Sequence, residues 1–248
     1  MLNAMKASLY KMFHDRAFRL CLVGTVAWAM IVIMAQVLTA GSRGIEDVSQ
    51  LANRWGGFIG LHSIEVPLIM SAITLFTGEF RDKSWKLLIA KGISRSSYYF
   101  SKLVSILLLT GIISFSSIAT TAIANVLLLH ATLDGAYLRS CILFSMGQCL
   151  AHMTIATLVL AVIFLIRSGE IAAIISMFAM VFGYVILHVV EMALGLGELI
   201  TDIWAFSQPA FVEFAGPISW ARLGLVLIGH LAVCSVIVMV RMSIRDIE

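Results

Sequence analysis

The run SCILFSMGQCLAHMTIATLVLAVIFLI, residues 140–166, contains no Asp, Glu, Lys or Arg. It lies between Arg139 and Arg167. A bilayer core is spanned by about 20 apolar residues in helical conformation, and a helix is the only open-ended structure that satisfies its own backbone there. This stretch therefore predicts a transmembrane helix. The rest of the chain follows the same pattern. Hydrophobic residues make up 60% of the 248 and charged residues 12%, whereas a soluble domain carries roughly 25% charge. Charge-poor runs predict spans at about 18–40, 57–77, 103–129, 140–166, 171–190 and 222–240, with Glu65 the one charge inside the second. The expected fold is an all-α integral membrane protein of six helices in one domain, 1–248. The first apolar run is longer than the 7–15 residues of a cleavable signal, so it is expected to stay.

The distribution of charge sets the orientation. Segments 1–19, 78–102, 167–169 and 241–248 hold 13 of the 17 Lys and Arg residues. The positive-inside rule makes that side cytoplasmic, with both termini there. A net charge of +3 is too small to imply nucleic acid. Cys21, Cys141, Cys149 and Cys234 all fall inside the expected spans and read as packing residues.

Three stretches outside the spans are informative. At the start, Leu2, Met5, Leu9, Met12 and Phe13 recur at helical spacing, with Asn3, Lys6, Lys11 and Asp15 largely elsewhere. That predicts an amphipathic interfacial helix with its lysines toward anionic headgroups, either as an anchor or as a docking element. Residues 78–102, GEFRDKSWKLLIAKGISRSSYYFSK, form a connection far longer than a turn requires. Glu79 with Lys83 and Asp82 with Lys86 have the acid-before-base i,i+4 spacing of a helix, and Gly92 can end it. Phe80, Trp85, Leu87, Leu88 and Ile89 add apolar surface, which suggests a docking site for a cytosolic protein rather than a solvated loop. The outer connection 191–221 mixes apolar residues with four acids and two prolines. Short helices dipping into the outer interface are expected there, with Trp204 and Trp220 at headgroup level.

The start MLNAMKASLYKMF, the Glu after the second span leading to I-S-R-S-x-Y-x-F-S-K, and the ending R-M-S-I-R-D-I-E together resemble the small permeases of the ABC type-2 exporter family. Within it the chain is similar to the subunits of lantibiotic- and bacitracin-immunity exporters. The resemblance implies a permease that binds no cofactor itself and relies on a separate ATPase subunit to bind ATP. It also implies a second permease copy or a sister permease, and a peptide cargo that is amphipathic or cationic. In such permeases the connection after the second span is a coupling helix seated on the ATPase. That role is carried onto Glu79, which would begin it, and onto Arg81, Lys83, Trp85, Lys86 and Arg95, which would close it. Trp85 is expected to be the anchor in the partner's cleft. The chain has no GxxxxGK[ST] phosphate loop, in keeping with that division of labour.

Buried polar residues form a second candidate set. His62 and Glu65 lie one turn apart near the outer end of the second span, and His188 and Glu191 repeat the spacing in the fifth. Such pairs can form a polar gate or substrate surface, bind a metal, or simply pack. They leave a membrane enzyme or metal-binding protein as an alternative function. Gln148 and His152 read as interhelical glue. GxSxG and HExxH motifs are absent, which argues against intramembrane serine and zinc proteases.

Overall fold

A computed structural model describes residues 2–41, 64–129, 135–212 and 217–244, and no strand occurs among them. The helices are α1 (Leu2–His14), α2 (Arg16–Gly41), α3 (Glu65–Arg81), α4 (Ser84–Ala90), α5 (Arg95–Leu129), α6 (Gly135–Ile166), α7 (Gly169–Leu194), α8 (Leu199–Ile203) and α9 (Trp220–Ile244). A 3-10 turn, Ala205–Phe211, follows α8. Four stretches among the described residues are long and apolar enough to cross a membrane: Arg95–Thr120, Leu138–Ile166, Gly169–Leu194 and Trp220–Ile244. The expected first span corresponds to α2. The expected second span begins in residues outside those described, and its described part is α3.

The helices outrun the charge-free segments at their basic ends. Helix α3 continues past residue 77 to Arg81, and α5 begins at Arg95 rather than near 103. Charge marks where a helix leaves hydrocarbon, not where its hydrogen bonds stop. Residues 98–102 show why: Tyr98, Tyr99, Ser101 and Lys102 are buried against neighbouring helices.

Two breaks shape the bundle's basic end. Lys83 adopts a left-handed conformation (φ 54°) between α3 and α4, and Arg167 does the same (φ 60°) between α6 and α7. A non-glycine residue in that region costs about 1–2 kcal/mol, so surrounding contacts must hold each corner. Gly92 (φ 90°) then ends α4 without that cost.

Helix α6 is the central element and touches α3, α5, α7 and α9. Two-thirds of its apolar window is buried, against 11% for α7 and 17% for α9. Ile155, Val159, Leu160, Ile163 and Phe164 of α6 pack with Leu68, Ile69 and Phe76 of α3 and Ile106, Leu109 and Ile113 of α5. Helices α7 and α9 expose large apolar faces, among them Ile174, Phe178, Val185, Leu225 and Val236. The small polar residues Ser101, Ser105, Thr110 and Thr157 are also buried. Their hydroxyls donate to carbonyls one turn back, as in Ser105 to Ser101 at 2.9 Å and Thr110 to Ile106 at 2.7 Å. They therefore fit a close helix contact with no polar group stranded.

Candidate functional site

The segments carrying most of the basic residues meet at one end of the bundle, around Glu79. This carboxylate, on the last turn of α3, is buried. Lys102 of α5 donates to its Oε1 at 2.7 Å, and Lys11 of α1 reaches the same oxygen at 3.2 Å. The Tyr98 hydroxyl donates to Oε2 at 2.8 Å. Lys102 also bonds Ser8 of α1 at 3.0 Å and lies over the Phe76 and Tyr98 rings. Glu79 lies beyond the expected span 57–77. Burial alone pushes its carboxyl pKa up, but the charges of Lys102 and Lys11 and the bonds from Lys102 and Tyr98 outweigh burial. They hold the pKa below its ordinary value. Three helices distant in sequence are thus tied at one carboxylate.

Helix α4 leaves this cluster through the corner at Lys83. The expected Glu79–Lys83 pair does not form, because α3 has ended at Arg81 and Glu79 has turned inward to Lys102, Lys11 and Tyr98. Glu79 therefore closes α3 and does not begin the short helix. Trp85 also departs from expectation: it is buried, with its ring 6.0 Å from Phe80. The Arg167 guanidinium lies over the Trp85 ring, 4.8 Å from its centroid. Phe164 joins edge-on to Phe80 and Tyr99. Trp85 thus anchors α4 to its own membrane domain, since a large aromatic with a cation over its face is worth most where both are desolvated.

The opposite face of α4 is open. Leu87 is 65% exposed, and Arg81, Asp82, Lys83 and Lys91 are exposed as well. Arg81 pairs with Asp82 at 3.3 Å, and Lys86 is half-buried. Arg95 starts α5 and donates to the Met242 carbonyl in the last turn of α9. A cation there satisfies a terminal carbonyl and suits the helix dipole. The sequence reading missed Ser8, Lys11, Tyr98, Lys102 and Arg167. Lys102, the last charge before a long apolar run, was the available signal.

Three residues of the second candidate set, Glu65, His188 and Glu191, lie among those described. His62 lies outside the described residues, and Glu65 is buried in the first turn of α3. Glu191 is buried and accepts from the Thr201 backbone at 2.8 Å, the Thr201 hydroxyl at 2.8 Å and the Ile200 backbone. It therefore caps α8, satisfying N–H groups that a helix start leaves open. His188 stacks parallel to Tyr184 at 6.0 Å. Among the described residues no three His, Cys, Asp or Glu side chains come close enough to hold a metal.

Around α8 the segment 199–212 is fitted closely. Gln148 of α6 donates to the carbonyls of Pro209 at 3.0 Å and Val212 at 3.3 Å. A methyl group added at Gly183 would lie 2.9 Å from the Trp204 ring, and one at Gly147 would lie 2.7 Å from Val212. Both glycines are notches that receive the segment. Trp204 fills one of them and stays half-exposed. Arg222 bonds the Asp202 carbonyl at 2.7 Å and lies over the Phe211 ring at 3.6 Å.

Compared with known families, residues 9–186 match the model described as ABC-2 family transporter protein. The comparison with curated proteins gives no match.

Proposed function

The chain belongs to the ABC-2 family of transporter proteins, and from that premise we propose that it is the permease subunit of an ABC exporter. It forms one domain over 1–248 that crosses the bacterial plasma membrane six times, with both termini cytoplasmic. A separate ATPase subunit binds ATP and docks on α4. The cargo is an amphipathic or cationic peptide taken from the membrane and expelled, and the permease acts beside a second copy or a sister chain.

The observation that carries this reading is the two-sidedness of α4. Trp85 fastens its inner face, while Leu87 and the charged Arg81, Asp82, Lys83 and Lys91 remain open. Seven residues, Ser84–Ala90, are too few for a stable free helix, so this one persists because the domain holds it in position. A preorganised apolar residue within a charged rim is the arrangement an interface uses for affinity and steering. Arg95, Arg167 and Glu79 connect that platform to α9, the α6–α7 turn, α5 and α1.

Co-purification with the companion ATPase tests the proposal. Leu87→Asp should lower recovery of the ATPase by roughly tenfold, since losing one buried leucine contact costs about 1.5 kcal/mol or more. Lys83→Glu should slow association and change its salt dependence. Both variants should also reduce cellular resistance to a cationic antimicrobial peptide. Full recovery and full resistance in both would show that α4 is only a connection.

A further inference from the structure

Helix α1 is bound to the cluster in a lopsided way. Lys102 and Lys11 share the same oxygen of Glu79, at 2.7 and 3.2 Å. One carboxylate balances one ammonium, so the trio keeps a unit of positive charge. Among the described residues no second carboxylate pairs with either lysine. Lys102 is sealed in, with 4% of its side chain exposed, but 45% of the Lys11 side chain is open. The excess charge therefore resides at Lys11. Around it the surface is basic and aromatic: Lys6, Arg16 and Arg19 are exposed, as are Tyr10 at 66% and Phe13 at 52%. Residues 1–20 contain one acid, Asp15, against those four cations. Exposed aromatics beside basic residues at the end of a membrane bundle match the headgroup layer.

We propose that Lys11 is shared between Glu79 and the phosphate of an acidic phospholipid, so that α1 reports the charge of the surrounding leaflet to the α3–α4 corner. Lys102 alone can neutralise Glu79, so Lys11 is free to leave without stranding a buried charge. When an acidic headgroup takes Lys11, α1 loses its bond to α3 and is held by Ser8 and by packing to α5 and α2. In a neutral leaflet Lys11 stays on Glu79 and α1 is clamped. The proposal rests on the reading that this end faces the membrane surface and does not require an ATPase.

The test uses the full chain alone, in nanodiscs of phosphatidylcholine with or without phosphatidylglycerol. Spin labels at Tyr10→Cys and Leu87→Cys, in a background free of native cysteines, report the distance between α1 and α4. The ratio of the two distance populations should change by roughly fivefold when phosphatidylglycerol is added, given what one lysine gains near an anionic surface. Lys11→Gln should abolish the response, and Lys11→Arg should retain it. Native mass spectrometry should find phosphatidylglycerol on the wild type and less on Lys11→Gln. Equal distances in both lipids, or an undiminished response in Lys11→Gln, would overturn the proposal. A failure to co-purify an ATPase would leave this measurement unaffected.

Discussion

At the scale of single residues, the pair Glu79–Lys102 offers the sharpest test. Glu79→Gln would leave Lys102 a buried cation without its counter-charge, which typically costs about 3–5 kcal/mol. Its thermal midpoint in detergent should fall well below wild type, and Glu79→Gln/Lys102→Met should recover much of the loss. The pH dependence has a definite sign. The folded-state pKa of Glu79 is lowered from 4.5, so its stabilisation is complete above the ordinary value and is lost only as pH falls through the lowered one. Stability should therefore be flat near neutrality on this account and decline only in acid, with Glu79→Gln lacking that decline. Trp85→Ala also bears on stability: removing a buried tryptophan costs about 3–5 kcal/mol. Unchanged unfolding of Trp85→Ala would mean that its packing against Phe80 and Arg167 is not made in the membrane. Little of this network was legible beforehand. Glu79 and Lys11 are 68 positions apart, and a local charge pattern had already supplied Lys83 as the partner of Glu79. The true partners depend on how α1, α3 and α5 converge.

Among the elements, α2, α6, α7 and α9 could be read directly as helices, because hydrocarbon tolerates so little charge that each shows as a long charge-free run. Short helices within 191–221 could be read as well, and α8 and the 3-10 turn lie there, but the corner at Lys83 and the contacts that hold 199–212 could not. Helix α8 has five residues, and its start is completed by Glu191 accepting backbone N–H groups. A scan for side-chain motifs cannot see those donors, so the His188/Glu191 spacing suggested a second half of a polar constellation. Glu191→Ala should leave the Ile200 and Thr201 backbone N–H groups without their acceptor and loosen 199–212, raising the protease sensitivity of that segment from the outside while the bundle stays folded. Gly183→Val should act on the same segment by steric means, because its branched side chain would meet the Trp204 ring. Protection equal to wild type in both variants would show that the segment is held by something other than these contacts.

For the whole molecule, the charge asymmetry and the contacts place the same segments together. Residues of 1–19, 78–102, 167 and 242 meet at one end of the bundle, and 191–212 packs at the other. In a cysteine-free background, Glu198→Cys should react with an impermeant reagent from outside and Lys83→Cys only after permeabilisation. The reverse pattern would invert the proposed topology. Helix α5 adds a mechanical consequence. Its 35 residues run unbroken from Arg95, beside the proposed docking face, to Leu129. At about 1.5 Å per residue such a rod is about 52 Å long, well beyond a bilayer core of about 30 Å. Pivoted at its Arg95 end, it would act as a lever arm. A tilt of about 10° there would sweep the far tip through about 9 Å, taking the helical rise as fixed. Small rotations imposed on one leaflet would thus emerge as displacements of molecular size on the other.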